Sequence, residues 1–175
     1  FYGSLRTLQN MTQVIVEVDT AITNLKKVMD TDNPKVFVDM LDSAIKKAKD
    51  LGQTVTSVLD SFALAAKAGL SAENIEYLSE ASLIAANVGE IEAAESAEYL
   101  ISAIEQMQMA YSDSMKVIDA WNNLSNKNAT TVKDLAEGWA RSASTVRNFG
   151  GDMHELNAAI GSLNQRLRQS GNEIR

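Results

Sequence analysis

Apolar residues recur along this chain at helical spacing almost from end to end. Leu8, Ile15, Ile22 and Met29 fall seven apart, with Met11, Val18 and Leu25 in the second register, which is an a/d heptad pattern. Val14, Ala21 and Val28 add a third apolar row, so the stripe is wider than a two-stranded seam and favours packing inside a bundle over an intermolecular coiled coil. The run Asp30-Thr31-Asp32-Asn33-Pro34 ends this helix and starts the next, with Asn33 as cap and Pro34 in the first helical position. A second helix presents Phe37, Met40, Leu41, Ala44, Ala48 and Leu51 up to Gly52, with Lys46, Lys47 and Lys49 expected in water. A third carries Val55, Val58, Leu59, Phe62, Ala65 and Ala66 and closes at Gly69.

Ser71 caps a fourth helix with Ile75, Leu78, Ala81, Ala85 and Val88 inward, ending at Gly89. A fifth aligns Ala93, Ala97, Leu100, Ile101, Ile104, Met107 and Tyr111, and a short sixth groups Val117, Ile118, Trp121 and Leu124. Thr131 and Asp134 form a capping-box pattern for a seventh, which carries Val132, Leu135, Ala136, Trp139 and Ala143 and ends at Gly150-Gly151. Asp152 and Glu155 repeat that logic for an eighth, with Leu156, Ala159, Ile160, Leu163 and Leu167 inward and Gly171 as terminator. No window alternates with period two. The expectation is an all-α multi-helix bundle of about eight helices, one domain over residues 1–175, whose segment 1–30 packs in the bundle or extends as a projecting or coiled-coil helix.

Composition agrees. The sequence holds one proline and is 45 % apolar, enough for a packed core. Charge is uneven: residues 1–70 carry eight acids and eight bases, residues 71–119 ten acids against Lys116, and residues 120–175 five acids and seven bases. An acidic middle repels phosphate, so specific nucleic-acid binding is not expected of this segment. There is no cysteine, hence no disulfide and no thiolate chemistry. The apolar stretch 62–70 is short and broken by Lys67, far below the roughly 18–20 residues that span a bilayer. The chain opens on Phe1 with no basic-then-apolar leader, and is expected to be a fragment of a longer protein.

Candidate chemistry is thin. His154 stands beside Asp152 and Glu155, but neighbours on a helix point apart, so it reads as a surface histidine. Glu73, Glu76 and Glu80 read as one solvated row rather than a paired-carboxylate site. Met107, Met109 and Met115 around Tyr111 read as core filler, and Trp121 and Trp139 as core. Asn128-Ala129-Thr130 is a formal glycosylation acceptor of the kind that arises by chance. No nucleophile motif, phosphate loop or metal-ligand spacing is present, so no enzyme, metal or cofactor is expected, and no catalytic residue. The face Ile15, Val18, Ile22 and Leu25 is the candidate for self-association.

A further pattern lies in order. Val18-Asp19-Thr20-Ala21-Ile22 leads into Leu25-Lys26-Lys27-Val28, followed by Ala48-Lys49-Asp50-Leu51-Gly52-Gln53-Thr54-Val55, then 62–70, Ala86-Asn87-Val88-Gly89 and Ile118-Asp119-Ala120. Asp134-Leu135-Ala136-Glu137-Gly138 and Arg141-Ser142-Ala143-Ser144 close the succession. Taken together these segments resemble the core region of phage tail tape measure proteins. That resemblance implies a helical structural component of the virion tail, made in the bacterial cytoplasm. It would take part in tail assembly, in setting tail length and later in DNA ejection. Its implied partners are the tail tube, the tail chaperone and distal tail or baseplate components, and a second copy of itself. A cellular helical protein–protein interaction module would share the same composition.

Overall fold

Side chains, more than glycines, decide where these helices begin. In the computed structural model, which describes the backbone of residues 2–89, 91–128 and 130–173 and the side chains of 11–89, 91–128, 130–163 and 166, Asn33 Oδ1 accepts from Lys35 N at 3.1 Å. Thr54 Oγ1 accepts from Ser57 N at 3.1 Å, and Ser71 Oγ from Asn74 N at 3.4 Å. Thr131 and Asp134 complete the expected box, and Asp152 and Glu155 exchange bonds in the same way. Each cap satisfies an amide that the first turn leaves without a partner.

The helices so started are α1 (Tyr2–Val28), α2 (Pro34–Leu51), α3 (Val55–Lys67), α4 (Ala72–Gly89), α5 (Ala93–Met107), α6 (Ser114–Lys127), α7 (Val132–Asn148) and α8 (Met153–Glu173). A 3-10 turn, Tyr111–Asp113, precedes α6, and there is no strand among the described residues. The fold is all-α, a multi-helix arrangement of eight helices among the described residues. Two boundaries differ from the sequence reading, the ends of α5 and α8. α5 stops at Met107 because Gln108 adopts a left-handed φ of 54°, which leaves Tyr111 in the 3-10 turn. α6 begins at Ser114, directly after that turn, and α8 continues through Gly171.

Backbone proximity divides the chain into two compact units, residues 1–79 and 80–175, a finer division than one domain over 1–175. The boundary falls inside α4, which is why no Pro-, Gly- or Ser-rich linker marks it in the sequence.

In the first unit α3 is the hub. Val58, Leu59, Ser61, Phe62, Ala63, Ala65 and Ala66 are all buried, so most of its circumference is covered. Leu25 and Ala21 of α1 belong to this core, with Phe37, Met40, Ala44 and Ala48 of α2 and Ile75 and Leu78 of α4. Fully burying one side chain of the size of Leu59 or Phe62 contributes about 1.5–3 kcal/mol. α1 has 27 residues and α3 has 13, about 40 Å against about 20 Å at 1.5 Å per residue, so α1 extends well past its main partner. Its apolar stripe therefore divides: Leu25 is fully buried, whereas Met11, Val14 and Ile15 are more than half exposed.

In the second unit α5 and α7 are the most closely associated pair, and α6 and α8 both pack on α7. Leu100, Ile104, Val117, Ile118, Trp121, Leu135 and Trp139 fill the core, with Ala97, Ala103, Ala136 and Ala143 allowing close approach. Two inner faces are corrected. On α4, Leu83 is buried and Val88 is 48 % exposed. On α8, Leu156 is buried but Ala159 and Leu163 face outward, while the side chain of Leu167 lies outside the described residues. For α8 the cause is glycine. A Cβ on Gly138 would lie 3.3 Å from Ile160 Cδ1, and one on Gly161 would lie 3.2 Å from Leu124 Cδ1. These two positions let α8 settle against α7 and α6, and neither registers as apolar in a periodicity count.

Candidate functional site

The candidates for chemistry do not converge. His154 is exposed, and its backbone N–H donates to Asp152 Oδ1 at 2.8 Å as part of the α8 cap. Backbone donors to its carboxylate hold Asp152 below the usual carboxylate range, Glu155 N first and His154 N after it. With Lys116, Asp119, Asn123, Lys127 and Asn157, His154 lines an open groove of about 510 Å³ that mixes both charge signs. Among the described residues no group of three or more His, Cys, Asp or Glu side chains could hold a metal ion. No helix among them is long and apolar enough to cross a membrane.

The acidic row on α4 is not uniformly solvated, nor are the three lysines of α2. Glu76 Oε2 accepts from Ser43 Oγ at 2.7 Å and lies 3.3 Å from Lys47 Nζ, and the Lys47 side chain is only 13 % exposed. Glu76 sits one residue from buried Ile75, at the margin of the inner face, and its carboxylate meets α2 there. Lys47 is correspondingly drawn out of water, unlike exposed Lys46 and Lys49.

Met107 is buried as core filler, with Met109 and Met115 half-buried. The Tyr111 hydroxyl donates to Glu105 Oε1 at 3.2 Å, and burial together with that carboxylate pushes its pKa up to about 12. Trp121 and Trp139 are both fully buried and meet edge to face, with ring centroids 5.6 Å apart and planes at 82°. Trp139 Nε1 donates to Asn157 Oδ1 of α8 at 2.9 Å. Asn128 Nδ2 is engaged with Leu124 O at 2.9 Å, closing the end of α6.

The proposed self-association residues separate. Ile15 is 68 % exposed and Val18 half-buried, while Ile22 and Leu25 are taken into the first unit's core at 9 % and 0 %. A stripe continuous in sequence is thus part core and part surface.

A constellation that periodicity missed is the polar seam between α5 and α7. Lys133 Nζ lies 2.7 Å from Glu95 Oε1. The Tyr99 hydroxyl reaches Glu95 Oε1 at 3.1 Å and Glu137 Oε1 at 3.5 Å, and its single proton serves one of them at a time. Gln106 contacts Ala140 O and Ser144 N, and Arg147 Nη2 donates to Gln108 Oε1 at 3.2 Å. Contacts therefore advance along both helices together, so α5 and α7 run parallel with α6 returning between them. The Lys133 bond, and then the Tyr99 bond, hold Glu95 below its ordinary range. Lys133 is raised by Glu95, and Tyr99 is raised by burial and then by Glu95. The signal that could have found the seam is an offset: Glu95 to Lys133 and Tyr99 to Glu137 are both separated by 38 residues.

The two closing segments of the sequence pattern are parts of this packing. Asp134 completes the capping box, Leu135 and Ala136 are buried, Glu137 faces Tyr99 and lies 3.5 Å from Arg141, and Gly138 admits Ile160. Ser142 Oγ donates to Gly138 O, Ala143 is buried, and Ser144 N reaches Gln106. Their chemistry is that of a specified helix junction.

No solved structure matches this chain. The sequence model of one protein family, described as phage-related minor tail protein, matches residues 45–175. That span takes in the last turns of α2 and everything after it, including the whole of the α5–α7 seam and the indole pair, and on that ground the chain belongs to the phage-related minor tail protein family.

Proposed function

We propose that this chain is a folded helical segment of a tail tape measure protein, serving docking and assembly in the virion tail. The family match over residues 45–175 carries the reading. The folding of the segment supports its assembly role. A ruler converts residue count into distance at about 1.5 Å per helical residue, but helices packed side by side within a unit do not add their lengths. Length determination and passage of DNA at ejection then belong to the parent protein. In this reading the segment is made in the bacterial cytoplasm, catalyses nothing, and meets the tail tube, tail chaperone and distal tail or baseplate components.

The test is quantitative mass spectrometry of purified tailed particles, read as the molar ratio of these peptides to the tail-tube subunit. A few copies per particle is the expected result. Absence from well-formed particles would remove the reading and leave a cellular helical interaction module in its place.

Self-association belongs to the same proposal, with its surface narrowed to the exposed part of the α1 stripe: Met11, Val14 and Ile15, with Val18 at the margin. Ile15→Asp should reduce the mass in sedimentation to that of one chain without changing helix content. An unaltered mass distribution would exclude this surface.

A further inference from the structure

Four features of α7 fall on one stretch, residues 138–145. The first is the Gln106 side chain. An α-helix joins each N–H to the carbonyl four residues earlier, and Ala140 C=O and Ser144 N–H are such a pair. Gln106 Nε2 donates to Ala140 O at 3.1 Å, and Gln106 Oε1 accepts from Ser144 N at 3.2 Å. One side-chain amide thus addresses both ends of a single rung of the α7 ladder. Insertion of a side chain at a rung is a recognised cause of helix bending.

The second feature is Gly138, which has the weakest helix preference of any residue but proline. The third is Ser142, whose Oγ donates back to Gly138 O, a bond that competes with the ladder and bends helices. The fourth is the composition Ser142, Ser144 and Thr145, poor helix formers in sequence.

Packing changes across this stretch. Up to its first turn, Leu135, Ala136 and Trp139 are fully buried. After buried Ala143, residues 144, 145 and 147–149 are exposed, and Phe149 is 89 % exposed. Segments with few buried contacts open at low cost.

From this convergence we infer that α7 contains a hinge at Ala140–Ser144, and that Gln106 of α5 is the latch that holds it closed. With the latch open, the end of α7 changes direction while the indole core stays in place. The latch is a neutral amide, so its hold does not depend on pH, in contrast to the Glu95–Lys133 end of the same seam. The inference stands independently of the tape measure reading.

Amide hydrogen exchange of the whole chain, resolved by residue, tests it. Gln106→Met keeps the side-chain length and removes both hydrogen bonds to α7, together with the bond from Gln106 Nε2 to Ser102 Oγ within α5. Exchange at residues 144–148 should rise about tenfold, the scale of one or two lost hydrogen bonds, while residues 135–139 keep their wild-type rates. Gln106→Glu, which keeps the acceptor for Ser144 N–H and loses the donor to Ala140 O, should fall between. Adding Ser142→Ala and Ser144→Ala to Gln106→Met should restore slow exchange, because better helix formers close the hinge without a latch. Equal acceleration along all of α7 would make Gln106 an ordinary packing residue and overturn the proposal. So would unchanged rates at residues 144–148. If Gln106→Met does not fold, the serine substitutions in the otherwise wild-type chain decide: slower exchange confined to residues 140–148 supports the hinge, and no change removes it.

Discussion

The two units reach a defined structure by different means. The first is organised mainly by shape: α3 is buried on most of its surface, and α1 and α2 pack against it, with the Ser43–Glu76–Lys47 cluster joining α2 to α4. The second combines an apolar core with directional contacts, including the Trp139–Asn157 bond, the Thr131–Asp134 box and the α5–α7 seam. An apolar face tolerates sliding by a fraction of a turn. A hydrogen bond or ion pair does not, so polar contacts fix register where shape alone leaves latitude.

The largest effects should come from the two cores. Phe62→Ala in the first unit and Trp139→Ala in the second each remove a fully buried aromatic side chain, and each should cost about 3–5 kcal/mol in denaturant unfolding. Both tryptophans lie in the second unit, so their fluorescence follows that unit and far-UV ellipticity follows the helices of both. A loss below about 1 kcal/mol for Trp139→Ala would mean that neither this core volume nor the Trp139–Asn157 bond holds the second unit together.

Asn157→Ala isolates one directional contact. It leaves the buried indole N–H of Trp139 without its acceptor, and should cost about 1–3 kcal/mol with little change in core volume. Asn157→Asp, which retains an acceptor oxygen, should recover part of that loss. If both variants behave alike, the bond contributes nothing and the contrast between the units weakens.

The smallest effect is that of pH on the Glu95–Lys133 pair. Glu95 is lowered from an ordinary 4.5, so its contribution is present above about that pH and is lost as pH falls through the depressed value. Lys133 is raised from 10.5, so its contribution is present below that pH and is lost as pH rises through the elevated value. Stability from the pair is therefore flat between roughly 4.5 and 10.5. Lys133→Met should reduce the acid-side slope that belongs to Glu95, leaving the part that the Tyr99 hydrogen bond sustains, measured as unfolding midpoint against pH. Because the pair is exposed, added salt should flatten the same slope.

The sequence reading succeeded where periodicity and caps carry the information. Most of the α3 face was legible, although Val55 is only half-buried and buried Ser61 and Ala63 lay outside the expected row, and Asn33, Thr131 and Asp152 were legible as helix starts, because these signals are local. It went astray where one element's placement depends on another. The α8 face is displaced because Gly138 and Gly161 provide room on neighbouring surfaces, and Lys47 leaves water because Glu76 waits on a different helix. α5 ends without a glycine at Gln108, a left-handed position that propensity assigns to glycine or asparagine. The α1 stripe was legible as apolar, but which part of it would be covered depends on the length of α3.

The indole pair has an optical consequence. Two identical chromophores at 5.6 Å, with planes near perpendicular, share their excited states, so their ultraviolet transitions should split into a band pair of opposite sign. That doublet belongs to the contact between α6 and α7 and weakens steeply as the rings part. The chain therefore carries an unlabelled spectroscopic gauge of one helix junction, readable in solution while the protein meets whatever it assembles with.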